Sequence, residues 1–129
     1  MPKKLSSILI LTILIAISLT ACASSADPAQ AIADYIEALV AKDGAALSNL
    51  SCAAWESGAK NELKSFDAVA VRLEGLRCET TSSAAEFTIV HCEGTIHATY
   101  EGEDRPLDLS AKDYLAVEEG GEWRMCGYK

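Results

Sequence analysis

The apolar positions follow three spacings in turn along this chain. "LSSILILTILIAISLTA" (Leu5–Ala21) runs 17 residues without a charge and is dominated by Ile and Leu after Ser6 and Ser7. The spacing then becomes helical. Ile32, Tyr35, Ile36, Leu39 and Val40 share one face of "DPAQAIADYIEALVAKDG". Asp27 suits an N-cap, Pro28 the first helical position, and Gly44 the stop. "AALSNL" (Ala45–Leu50) predicts a short second helix with Leu47 and Leu50 three apart. "SCAAWESGAKNELKSF" (Ser51–Phe66) predicts a third, with Trp55, Ala59, Leu63 and Phe66 on one face. After Asp67 the period becomes two. Val69, Val71 and Leu73 alternate with Ala, Arg and Glu as in a half-buried strand, and Gly75 marks a bulge before Leu76 and Cys78. Residues 85–128 read as three more strands, with "EGED" (Glu101–Asp104) and "EGGE" (Glu119–Glu122) as hairpin turns. The fold class is α+β, with N-terminal helices packed on a curved four-stranded antiparallel sheet.

The first apolar run follows Lys3 and Lys4 and ends in small residues. Its length is at the lower limit for a bilayer span, and its flanks suit a cleaved signal better. It closes on Leu19-Thr20-Ala21-Cys22, "LTAC", which resembles the bacterial lipobox. In that family the Cys thiol receives a diacylglyceryl group and the chain is cut on its N-terminal side. The resemblance implies a signal peptide over 1–21, lipidation at Cys22, a short tether to residue 26, and one domain over 27–129. It places that domain on the extracytoplasmic side of a bacterial cell membrane, held through its lipid. It also accounts for an odd total of five cysteines.

Cleavage would remove two of 11 basic residues and none of 19 acidic ones, leaving nine against nineteen, a net charge of −10. Without clustered Lys and Arg a nucleic-acid partner is not expected, because phosphate neutralisation needs grouped cations. The remaining cysteines, Cys52, Cys78, Cys92 and Cys126, form no Cys-x-x-Cys pair and lack zinc-site spacing, so they are expected to be structural disulfides of an exported domain. If the turns lie at "EGED" and "EGGE", a whole strand separates Cys92 from Cys126, a gap too wide for a disulfide. A Gly75/Gly94 bulge would set Cys78 opposite Cys92 and leave Cys52 to reach Cys126. Cys52–Cys78 with Cys92–Cys126 remains the alternative pairing.

"PAQAIADYIEALVAKDGAAL" and "YLAVEEGGEWRMC" resemble the opening helix pair and the closing hairpin of the nuclear transport factor 2-like (SnoaL-like) superfamily. That resemblance implies a sheet wrapped around the first helix, with a cavity at its open end. Related folds support cofactor-independent isomerases and lyases, so chemistry must be argued from residues. His91, Glu93, Thr95, His97 and Thr99 share one strand face, opposite Val90, Cys92, Ile96, Ala98 and Tyr100. The polar set is expected to face solvent, and a catalytic His91 paired with Glu93 or Asp113 is the weaker alternative. Asp113 and Tyr114 point to opposite faces. Tyr100, Tyr114, Trp55 and Trp123 either line a pocket or fill the core. No catalytic residue, metal ligand or cofactor motif is assigned. The expectation is a non-catalytic binding domain for a small ligand or an envelope protein partner; the alternative is a small isomerase or lyase. A closed, apolar interior would sink catalysis, and an open pocket with an inward carboxylate would revive it.

Overall fold

The first helix is set by its ends. Asp27 accepts from the Ala29 amide at 3.1 Å, and α1 runs Pro28–Val40. It stops at Val40, four residues before Gly44. Lys42 takes the left-handed backbone conformation (φ 57°), its amide bonds to the Leu39 carbonyl, and the Asp43 amide bonds back to Ala38. These are the two bonds of a Schellman end, here built without glycine. The Lys42 ammonium donates to the Val69 carbonyl at 2.7 Å, tying this corner to the chain entering the sheet. Gly44 instead opens α2 (Gly44–Asn49), where an added Cβ would come within 3.2 Å of Leu63. The computed structural model describes residues 27–129; the expected signal peptide, the lipidation expected at Cys22 and the expected tether lie outside the described residues.

The expected third helix loses its first turns. Ser51 and Cys52 leave helical geometry to flank the last strand: the Cys52 amide donates to Met125 at 2.8 Å, and the Met125 amide donates to Leu50. Residues Ala53–Trp55 make one 3₁₀ turn, and α3 follows over Glu56–Phe66. The amide bonds to Met125 and a disulfide from Cys52 to Cys126 hold this segment against the sheet, which a continuous helix could not satisfy.

The sheet has five antiparallel strands where the sequence suggests four: β1 (Ala70–Ala84), β2 (Phe87–Tyr100), β3 (Glu103–Asp108), β4 (Tyr114–Glu119) and β5 (Glu122–Tyr128). The expected third strand is cut in two. Asp108 accepts from the Ser110 amide at 2.9 Å, and a 3₁₀ turn at Leu109–Ala111 drops Leu109 into the core. β3 therefore pairs with the C-terminal half of β2, while β4 pairs with its N-terminal half and then with β5. The path is not a simple meander. Both Gly-rich turns form with two positive-φ residues each, Glu101–Gly102 and Gly120–Gly121, which suits the twist of a tight hairpin.

The bulge lies at the expected glycines. Gly75 and Leu76 on β1 face the single residue Gly94 on β2, and a Cβ at Gly94 would meet the Glu74 carbonyl at 2.9 Å. Past it, Cys78 and Cys92 stand directly opposite, 4.1 Å apart at Cα, and are bonded. Cys52 and Cys126 are bonded at a Cα separation of 5.3 Å. The core lies between α1 and the inner face of the sheet: Ile32, Tyr35 and Ile36 meet Val90, Ile96 and Met125, all essentially buried. This three-helix, five-stranded arrangement is compatible with a nuclear transport factor 2-like fold without being specific to it.

Candidate functional site

One end of the α1–sheet core is left unfilled. A cavity of about 470 Å³ opens there between the C-terminal half of α1, α3, the ends of β2 and β5, and the 3₁₀ turn after β3. Ile36, Leu39, Phe66 and Ile96 form an apolar floor. Tyr100, 38 % exposed, and Leu107, 45 % exposed, stand at the mouth. The size and apolar character are those of a small-molecule site.

Glu62 is one of two carboxylates that line this cavity, and two phenols hold it. The Tyr35 hydroxyl donates to Oε2 at 2.6 Å and the Tyr128 hydroxyl to Oε1 at 2.5 Å. The indole N–H of Trp55 donates in turn to the Tyr35 oxygen at 3.0 Å. Burial first, and the adjacent carboxylate second, push both phenols far above the ordinary tyrosine range, so they remain O–H donors. Two other rings brace Tyr128. Trp55 meets Tyr128 edge-on at 5.4 Å between centroids, and Tyr114 packs tilted on Tyr128 at 5.1 Å. Trp55 is seated by glycines: its ring lies over Gly58, where a Cβ would come within 2.7 Å, and touches the position of Gly127.

Three polar groups around the cavity have spare capacity. Tyr114 lines it, and among the described residues its hydroxyl has no hydrogen-bond partner. Burial, with Glu62 and Asp108 nearby, pushes that phenol up to about 12. Asp108 receives both Ser110 bonds on Oδ1, which lower its pKa and leave Oδ2 without a hydrogen-bond partner among the described residues. Lys112, exposed, extends its ammonium to 3.7 Å from the centre of the Tyr128 ring.

The residues weighed in the sequence fall into two groups. His91 and His97 lie on the outer sheet face, away from the cavity, while Val90, Cys92, Ile96 and Ala98 turn inward and are buried. His91 Nδ1 is 2.9 Å from Asp113, whose hydrogen bond raises the imidazole pKa above its ordinary value. Glu93 lies beside His91 in a shallow dimple of about 70 Å³. His97 sits between Asp104 at 2.7 Å and Glu74 at 3.3 Å. Among the described residues no cluster of three or more His, Cys, Asp or Glu is placed to hold a metal ion. Tyr100 and Tyr114 line the cavity, Trp55 backs it, and Trp123 packs half-buried at the edge of the core. Sequence reasoning missed Glu62, Tyr128 and Lys112. Glu62 carried a usable signal: it lies three residues after Ala59 and four before Phe66, on the face those residues bury. Its phenol partners are 27 and 66 residues away, a proximity no local pattern carries.

No protein-family model matches this chain, and no curated protein matches it at a meaningful level of similarity.

Proposed function

We propose that this chain is a lipid-anchored envelope protein whose domain binds a small, largely apolar molecule without transforming it. The observation that carries the binding role is the open cavity with aromatic walls and one fixed carboxylate. Both oxygens of Glu62 already accept phenolic hydrogen bonds, so the group serves as an anchor for the cavity wall more readily than as a mobile base. The anchor rests on the "LTAC" sequence, and the superfamily resemblance rests on element order. Held by a tether of four residues after Cys22, the domain would work close to the membrane surface, with its net negative charge keeping it off anionic headgroups.

A second reading is favoured by the same carboxylate. An inward Glu62 beside the unpartnered Tyr114 phenol is the pairing a cofactor-independent isomerase or lyase needs, one group to take a proton and the other to support a developing oxyanion. The experiment is to purify the full chain from its own membranes, extract it, and identify retained small molecules by mass spectrometry. Leu107→Trp, which narrows the mouth without entering the core, serves as the control. A molecule retained by the wild type, lost in the variant and recovered unchanged after prolonged incubation supports binding. Recovery of an isomer, or of product exchanged with deuterium from solvent, replaces binding with catalysis.

A further inference from the structure

Apart from Lys112, the charged groups that line the cavity are carboxylates. Glu62 and Asp108 are carboxylates, and Asp108 Oδ2 lacks a hydrogen-bond partner among the described residues. The Tyr114 oxygen can accept as well as donate. The Tyr128 ring lines the same cavity and turns its hydroxyl to Glu62, leaving one ring face to Lys112. The chain itself shows what that face attracts, because the ammonium of Lys112 stands 3.7 Å above its centre. Lys112 is exposed and reaches the ring on a flexible four-carbon stem, so it can withdraw. An anion entering here would meet one ammonium and two carboxylates. A cation would meet an aromatic face, two carboxylates and a phenol oxygen, within a chain of net charge −8.

We infer that the cavity takes a small apolar molecule bearing a protonated amine, whose ammonium replaces that of Lys112 over the Tyr128 ring. This rests on the binding role proposed above and names its ligand class. The apolar part lies against Ile36, Phe66 and Ile96, and the ammonium donates towards Asp108, Tyr114 and the remaining lone pairs of Glu62. Lys112 is then a built-in competitor that leaves when the ligand arrives.

The test uses the full chain in detergent and three probes of equal chain length: octylammonium, 1-octanol and octanoate. Binding is followed by calorimetry against detergent blanks. Octylammonium should bind about tenfold more tightly than either of the others, as expected for a desolvated cation on an aromatic face with charged acceptors. Lys112→Met should strengthen octylammonium binding roughly threefold by removing the internal competitor, and leave octanol unchanged. Tyr114→Phe and Glu62→Gln should each shrink the preference for the ammonium, with near-ultraviolet circular dichroism confirming the fold. If octanol or octanoate binds as tightly as octylammonium, the cationic class is overturned while the binding role stands. If Lys112→Met weakens octylammonium, the competitor role is overturned. If none of the three binds to the folded wild-type chain, the cavity is not a ligand site and both proposals fall.

Discussion

Replacing Gly58 with Ala should destabilise the domain, against the usual direction for a glycine inside a helix. Gly58 lies in the first turn of α3, where Ala normally gains about 0.5–1 kcal/mol by restricting the unfolded chain. Here the new methyl would lie 2.7–2.8 Å from three carbons of the Trp55 ring. Carbon atoms pack at about 3.5–4.0 Å, so the indole must move by about 1 Å. Its N–H is already 3.0 Å from the Tyr35 oxygen, and such a shift carries that bond to the limit of useful geometry. The lost hydrogen bond costs about 1 kcal/mol and the loosened edge contact with Tyr128 another 0.5–1.5 kcal/mol, roughly. Less the helix gain, the net loss is about 0.5–2 kcal/mol, a fall of about 2–10 °C in melting temperature. Urea denaturation with far-ultraviolet circular dichroism measures it. Trp55→Ala alone and Trp55→Ala with Gly58→Ala complete a double-mutant cycle, in which the Gly58→Ala change should become stabilising once the ring is gone. A Gly58→Ala domain as stable as wild type, or more so, would refute the seating of Trp55 over this glycine and with it the wall that positions Glu62.

Replacing both Cys52 and Cys126 with Ala should cost about 4 kcal/mol, and replacing both Cys78 and Cys92 about 3 kcal/mol, from the 74- and 14-residue separations they close; denaturant midpoints in the reverse order would contradict the chain-entropy account. The His91 imidazole should titrate above its ordinary value by NMR, and Asp113→Asn should bring it back. Because the folded pKa is the raised one, any stability from this pair is present below the unfolded His pKa and is lost as pH rises through the folded value. His91→Ala with His97→Ala should leave ligand binding at the cavity unaltered, since both rings lie on the far face of the sheet. Cys22→Ser should abolish fatty-acid labelling and leave the precursor uncut; normal processing and unchanged membrane partition would remove the lipid anchor.

Local periodicity carried the helices, the first two strands, the glycine turns and the bulge, because each depends on residues a few positions apart. It failed where distant residues decide. Ser51 and Cys52 fit a helix by spacing, yet amide bonds and a disulfide to the last strand hold them extended. Leu107 and Leu109 fit one strand face, yet the Asp108–Ser110 bonds turn the chain between them, leaving Leu107 at the cavity mouth and Leu109 in the core. The break divides the expected third strand and shapes the rim of the site. The polar set on β2 was legible as an outer face from alternation alone. The site was not, because its chemistry comes from Glu62 on a helix that reads as a charged surface, and from the penultimate residue Tyr128.

The most direct test of the cavity as a binding site is a crystal structure of the protein purified from its native source. Ordered density for a small molecule should fill the space between Tyr100, Tyr114 and Tyr128, with Lys112 turned away from the Tyr128 ring and Glu62 still held by Tyr35 and Tyr128. A cavity closed by collapse of Tyr100 and Leu107 onto Phe66, with Lys112 still over Tyr128 and no ligand density, would contradict it.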